Sequence, residues 1–124
     1  MGKYALITGS SSGIGFEIAK ILADKGFNIV LTARRKERLL ENSKYIISNY
    51  NVNCDYISCD LSDKSSPNKI FDFCKKNNYD VEILVNNAGY AIPSSFIKTS
   101  MEDEEKFLRV LGISVIALSK LFLP

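Results

Sequence analysis

The segment Thr8-Gly9-Ser10-Ser11-Ser12-Gly13-Ile14-Gly15 constrains this chain more than any other. It follows a short apolar run, Tyr4 to Ile7, and precedes a segment in which Ile14, Ile18, Ile21 and Leu22 recur at helical spacing up to Gly26. A glycine-rich turn between a strand and a helix leaves the free N–H groups of the helix start facing outward, where the helix dipole favours anions. Gly9 suits the sharp turn off the strand, Gly13 a close backbone approach to a pyrophosphate, and Gly15 tight packing of helix on sheet. Ser10, Ser11 and Ser12 add hydroxyl donors. No Lys follows the third glycine, so this is not the nucleoside-triphosphate loop of the Gly-Lys-Ser/Thr type. A plain Gly/Ser turn is the simpler reading, and the strand-turn-helix context argues against it.

The rest of the chain keeps alternating. Phe27 to Thr32 reads as a second strand, and Lys36 to Tyr50 as a charged helix with Leu39, Leu40, Ile46 and Ile47 as core contacts. Val52 to Ser58 is a third strand, and a helix over 64–77 comes next with Ile70, Phe71 and Cys74 inward. Val81 to Val85 is a fourth strand, apolar enough to be buried on both faces. A last helix starts near Ser100, whose spacing to Asp103 is that of an N-cap, and ends at Pro124. Its core side would be Phe107, Leu111, Val115, Leu118 and Phe122. Gly112, in mid-helix, would mark a close backbone approach. Strands alternating with helices imply an α/β domain, a Rossmann-like doubly wound parallel sheet with helices on both faces. Right-handed crossovers favour the strand order 3-2-1-4.

Composition narrows the chemistry. The 124 residues make one domain at most, residues 1–124, and 46% apolar residues can bury a core. Sixteen Lys and Arg against fourteen Asp and Glu leave a charge of +2, which points to neither nucleic acid nor a membrane as partner. There is no histidine, which excludes Ser-His and Cys-His mechanisms, and no metal-ligand spacing. Cys54, Cys59 and Cys74 match no zinc or redox motif and read as reduced thiols of a cytoplasmic protein. No stretch is long enough to span a membrane, and the start does not read as a signal peptide.

Two further segments sit where ligand-binding loops of such a sheet belong: Asp60-Leu61 after the third strand and Asn86-Asn87-Ala88-Gly89 after the fourth. Together with Thr8-Gly9-x-x-x-Gly13-Ile14-Gly15, they resemble the three cofactor motifs of the short-chain dehydrogenase/reductase family, in order and along the whole chain. The resemblance implies a dinucleotide cofactor held by Gly9, Ser11, Ser12, Gly13, Ile14, Gly15, Arg34, Asp60, Leu61, Asn86, Ala88 and Gly89. It also implies hydride transfer between NADP(H) and a carbonyl or alcohol. Cofactor choice is readable at the end of the second strand, where a carboxylate would hold the ribose hydroxyls of NAD. Ala33 stands there, followed by Arg34 and Arg35. Arg34 can pair with a 2′-phosphate, so NADP is expected over NAD, with Arg35 assigned rather to the solvated helix face. Asp60 also reads as a turn or cap residue, and Asn86 as a satisfier of backbone groups.

The resemblance also implies a catalytic Ser and a Tyr-x-x-x-Lys, and no Tyr of this sequence has Lys four residues on. An Asn expected in the last helix falls on Leu111, or on Ser114 with a local shift; neither is Asn. No catalytic residue is therefore assigned. The chain reads as a truncated, cofactor-binding half, expected to bind the dinucleotide without turning over alone. The alternatives are a non-enzymatic nucleotide-binding module or pseudoenzyme, a truncated product without independent function, and half of a reassembling enzyme. In each, the fourth strand would be an exposed edge beside an apolar helix stripe, open to self-association or a partner chain.

Overall fold

A computed structural model describes residues 2–11, 13–89 and 96–123. The chain runs β1 (Lys3–Thr8), α1 (Gly13–Asp24), β2 (Asn28–Ala33), α2 (Lys36–Asn49), β3 (Cys54–Ser58), α3 (Ser66–Lys76) and β4 (Asp80–Val85). A 3₁₀ turn (Phe96–Lys98) then leads to α4 (Met101–Leu108) and α5 (Ser114–Phe122). The four strands form one parallel sheet in the order β3-β2-β1-β4, as the alternation predicts. The chain has the Rossmann-like doubly wound α/β fold.

One core layer lies between the sheet and α1/α2, built on Ala5, Ile7, Ile29, Leu31, Leu39 and Ile46. The other lies under α3 and α5, built on Tyr4, Leu6, Val30, Ile70 and Leu118. Successive strand residues alternate between the two layers, as the two-residue period of a strand requires.

The helix faces depart from the sequence expectation. α1 buries Gly15, Ala19 and Ala23, while Ile14 and Ile21 stay exposed. Small residues let the helix axis approach the sheet, while Phe16 and Leu22 pack half-buried at the edge of the core. α2 buries Leu39, Ser43 and Ile46 and leaves Leu40 and Ile47 exposed.

The last helix is not continuous. Ser100 does cap it, its Oγ accepting from the Asp103 amide at 3.0 Å. A π-helical turn over Arg109–Ile113 then separates α4 from α5. The wider turn changes the phase of the residues beyond it, so the buried face is Val110, Ser114 and Leu118, and Leu111 is exposed. Gly112 meets nothing: a Cβ there would have open space for 4 Å. It does not mark a close approach; it sits in the widened turn. Pro124, the expected stop, lies outside the described residues.

β4 pairs with β1 alone and is half-buried rather than buried on both faces. Its second long side has no strand beside it among the described residues. No helix among them is long and apolar enough to cross a membrane.

Candidate functional site

Where β1 and β4 part, at the ends where the strands stop, the order of the sheet reverses, and open α/β sheets bind ligands in such a crevice. A cleft of about 660 Å³ lies there. Gly9, Ser11 and Ile14 line it from the glycine turn, Ala33, Arg34 and Arg35 from the end of β2, and Asp60 and Leu61 from the end of β3. Asn87, Ala88 and Gly89 line it beyond β4, and Lys106 and Val110 from the last helix.

The turn is packed too closely for side chains. Gly9 has φ +65°, and a Cβ on it would stand 2.8 Å from the Ala88 Cα. A Cβ on Gly15 would fall 2.3 Å from the Gly9 carbonyl oxygen and 2.6 Å from the Asn87 amide nitrogen. So Gly15 does permit close packing, against the turn itself and the loop beyond β4. At Gly13 (φ +62°) a Cβ would meet open space. Gly13 and Gly15 shape the turn without lining the cleft.

Hydroxyls and amides stitch these pieces together. Thr8 Oγ1 accepts from the amides of Asn87 (2.9 Å) and Ala88 (3.0 Å), which ties the end of β1 to the loop after β4. Asn87 Nδ2 donates to the Gly9 carbonyl at 3.3 Å. Ser10 is fully buried; its Oγ donates to the Ile7 carbonyl (2.9 Å) and accepts from the Thr32 amide (3.0 Å). The turn hydroxyl expected to face a ligand is therefore a clamp between β1 and β2. Ser11 does line the cleft, and Ser12 lies outside the described residues.

The loop after β4 presents its second asparagine to the cleft. Asn87 lines it and contacts the turn, whereas Asn86 is exposed and is not among the lining residues. Asp60 is a turn residue that also faces the cleft. It lines the cleft, and its Oδ1 accepts from the Ser62 amide and hydroxyl at 2.9 and 2.8 Å. Arg35 lines the cleft as well as Arg34, so both guanidinium side chains belong to this wall. Leu111, rather than Ser114, neighbours the 86–89 motif: a Cβ on Gly89 would stand 2.9 Å from its Cδ2. Ser114 is buried and donates to the Val110 carbonyl at 2.7 Å.

Electrostatics and hydrogen bonding suit an anionic, partly polar ligand. The lining holds three cations, Arg34, Arg35 and Lys106, against one carboxylate, Asp60. Lys106 also pairs with Glu102 at 3.3 Å. Cys59 is half-buried in the lining, and burial pushes its thiol up, away from the reactive thiolate. Thr32 Oγ1 is buried against the cleft without a hydrogen-bond partner among the described residues. An orphaned hydroxyl there and the cation excess both fit a phosphate-bearing dinucleotide.

The profile of the short chain dehydrogenase family matches residues 3–124. The chain belongs to the short-chain dehydrogenase family. A very-long-chain 3-oxoacyl-CoA reductase of Candida glabrata is 32% identical over an alignment 127 positions long that covers 99% of this chain and 36% of that relative. Among solved structures, L-sorbose reductase of Gluconobacter frateurii, complexed with NADPH and L-sorbose, superposes with a TM-score of 0.91. It is 29% identical, covering 98% of this chain and 46% of that one. A short-chain dehydrogenase of Sphingobium yanoikuyae in complex with NADPH gives 0.89 at 28% identity, over 97% and 46%. The chain thus spans a third to a half of the length of these short-chain dehydrogenase relatives.

Sequence reasoning missed Arg35, Asn87, Thr32 and Lys106 as lining residues, together with Asn42. From α2, the Asn42 Nδ2 donates to the Ser10 (3.2 Å) and Ser11 (2.7 Å) carbonyls. Thr32 and Arg35 flank motif residues and were within reach of local inspection. Asn42 carries no signal, since it lies thirty residues from the turn in a helix that reads as solvated.

Proposed function

We propose that this chain binds NADP(H) and forms the dinucleotide-binding half of an oxidoreductase acting on a carbonyl or alcohol. The observation that carries the reading is one cleft joining the glycine turn to Arg34 and Arg35, with no carboxylate at the end of β2. Bound NADPH supplies the hydride. The chain's own residues bind and orient it. Gly9, Ser11, Ser12, Gly13, Ile14 and Gly15 form the seat for the pyrophosphate, helped by the start of α1. Arg34 pairs with the 2′-phosphate, and α2 adds the positive end of a helix whose first amides have no side-chain cap. Asp60 and Leu61 hold the adenine side, and Asn87, Ala88 and Gly89 wall the cofactor on the side of β4, Asn86 lying outside the cleft. The NADPH bound in the sorbose reductase and the Sphingobium enzyme supports the choice of cofactor.

The 124 residues alone are proposed to bind without turnover, because no Tyr-x-x-x-Lys occurs among them. Leu111 against Gly89 favours the second reading, a non-enzymatic nucleotide-binding module, since a leucine cannot hold a water where the family places Asn. The three thiols, none in a disulfide, suit a reducing cytoplasm.

Fluorescence titration with NADPH and NADH tests the reading. Saturable NADPH binding is expected, and Arg34→Glu should weaken it about tenfold or more while favouring NADH, the loss of one charge-assisted contact. No NADPH binding, or equal preference before and after the substitution, overturns it. Turnover of NADPH with a carbonyl substrate by these 124 residues would overturn the no-turnover part.

A further inference from the structure

We infer that Asn42 is a positioning residue for dinucleotide binding, holding the glycine turn from behind in the shape that receives pyrophosphate. The inference rests on the reading of the cleft as an NADP(H) site. Asn42 stands in the second turn of α2, half-buried, with exposed Glu41 before it and buried Ser43 after it. A side-chain amide has two hydrogens on one nitrogen, enough for both carbonyls that Nδ2 reaches, Ser11 at 2.7 Å and Ser10 at 3.2 Å. Asparagine is a poorer helix former than Leu, Glu or Lys, so the position does not serve α2 itself.

Peptide geometry gives the contact its effect. In a trans peptide the carbonyl and the following N–H point in opposite directions. All peptides among the described residues are trans. Drawing the Ser10 carbonyl toward α2 therefore aims the Ser11 amide away from α2, and Ser11 lines the cleft. Ser10 is already fixed on its other side, its amide donating to the Thr32 carbonyl at 3.2 Å. With β2 holding one side and Asn42 the other, the turn keeps its anion-facing peptides oriented before any ligand arrives. Preorganisation of this kind raises affinity by lowering the ordering cost of binding. The same helix is entered directly from Arg34 and Arg35, so α2 links the 2′-phosphate side of the cleft to the pyrophosphate side.

Calorimetric titration of the full chain with two ligands separates positioning from general support. NADPH carries the pyrophosphate; adenosine 2′-phosphate lacks it and reaches only the Arg34 side. Asn42→Ala should weaken NADPH about tenfold, the worth of one to two neutral hydrogen bonds, and leave adenosine 2′-phosphate within about twofold. Asn42→Leu, which keeps the branching at Cγ without leaving a cavity and removes the donors, guards against a folding defect and should behave alike. Equal weakening of both ligands, or no change in either, overturns the inference. A wild-type chain that fails to bind NADPH overturns the underlying reading and this inference with it, and shows before any variant is made.

Discussion

At the ends where the strands begin, polar groups satisfy one another. Tyr79 Oη donates to the Asp55 carboxylate at 2.5 Å, and the Tyr4 ring stacks on Tyr79 with centroids 4.2 Å apart. Asn28 Oδ1 accepts from the Asn53 amide at 2.9 Å, and Lys3 pairs with Asp80 at 2.7 Å. At the ends where the strands stop, the buried Thr32 Oγ1 has no partner among the described residues, and a cleft stays open. One sheet thus carries a closed end, where interactions are completed internally, and an open end, where an unpartnered hydroxyl faces a cleft. Departures from local consistency of this sort gather at functional sites.

The largest expected effect breaks the open end. Gly15→Ala drives a methyl to 2.3 Å from the Gly9 carbonyl oxygen, a backbone atom that cannot swing aside as the Asn87 side chain at 2.6 Å can. Overpacking against backbone should cost about 3 kcal/mol. Gly13→Ala meets open space and costs only its left-handed φ, about 1 kcal/mol. Urea unfolding of both variants checks the order. Equal losses would show that the turn is not packed against the rest of the cleft.

Alkaline pH should instead release the closed end. Burial pushes the thiols of Cys54 and Cys74 up from 9.0 to about 12. Burial and then the hydrogen bond to Asp55 push the Tyr79 phenol up from 10.0. A raised folded-state pKa means stability that is complete below the unfolded value and lost as pH rises through the folded one. The urea midpoint should hold steady to about pH 9, fall from there as the unfolded thiols ionise, and fall more steeply above about pH 10. Tyr79→Phe should cost about 1.5 kcal/mol at neutral pH, by leaving Asp55 without its donor, and should flatten the decline above pH 10. A midpoint unchanged up to pH 11 would mean that these groups are not buried in the folded chain.

The strand order, every strand and the three segments that meet at the cleft were legible in the sequence, because strand runs and glycine turns are local signals. The helix faces were legible only in part: Leu39, Ile46, Ile70, Cys74 and Leu118 are buried as expected, but other positions are not. Large apolar residues dominate a periodicity argument, yet α1 seats Gly15, Ala19 and Ala23 on the sheet and leaves Ile14 outside. A π-helical turn has no sequence signature, so the burial of Val110 and Ser114 and the exposure of Leu111 could not be foreseen, whereas Leu118 is buried as expected. Serines of the turn look alike in sequence; only the register of β1 against β2 makes Ser10 a buried clamp and leaves Ser11 at the cleft. Asn42 reaches the turn through tertiary packing alone.

The smallest expected effect sharpens the contrast between the two ends. Thr32→Val replaces an unpartnered buried hydroxyl with a methyl of similar shape. Burying a hydroxyl without a partner carries a desolvation penalty, so its removal should stabilise the free chain by up to about 1 kcal/mol. If that hydroxyl meets the bound dinucleotide, the same substitution should weaken NADPH binding by about threefold, a fraction of one hydrogen bond. Stability and affinity would then move in opposite directions, which a packing role does not produce, since loss of packing lowers both. Thermal unfolding with and without NADPH reads the two quantities on one sample. A lower melting temperature for the free Thr32→Val chain would show that the hydroxyl is satisfied within the fold, and would remove it from the open end.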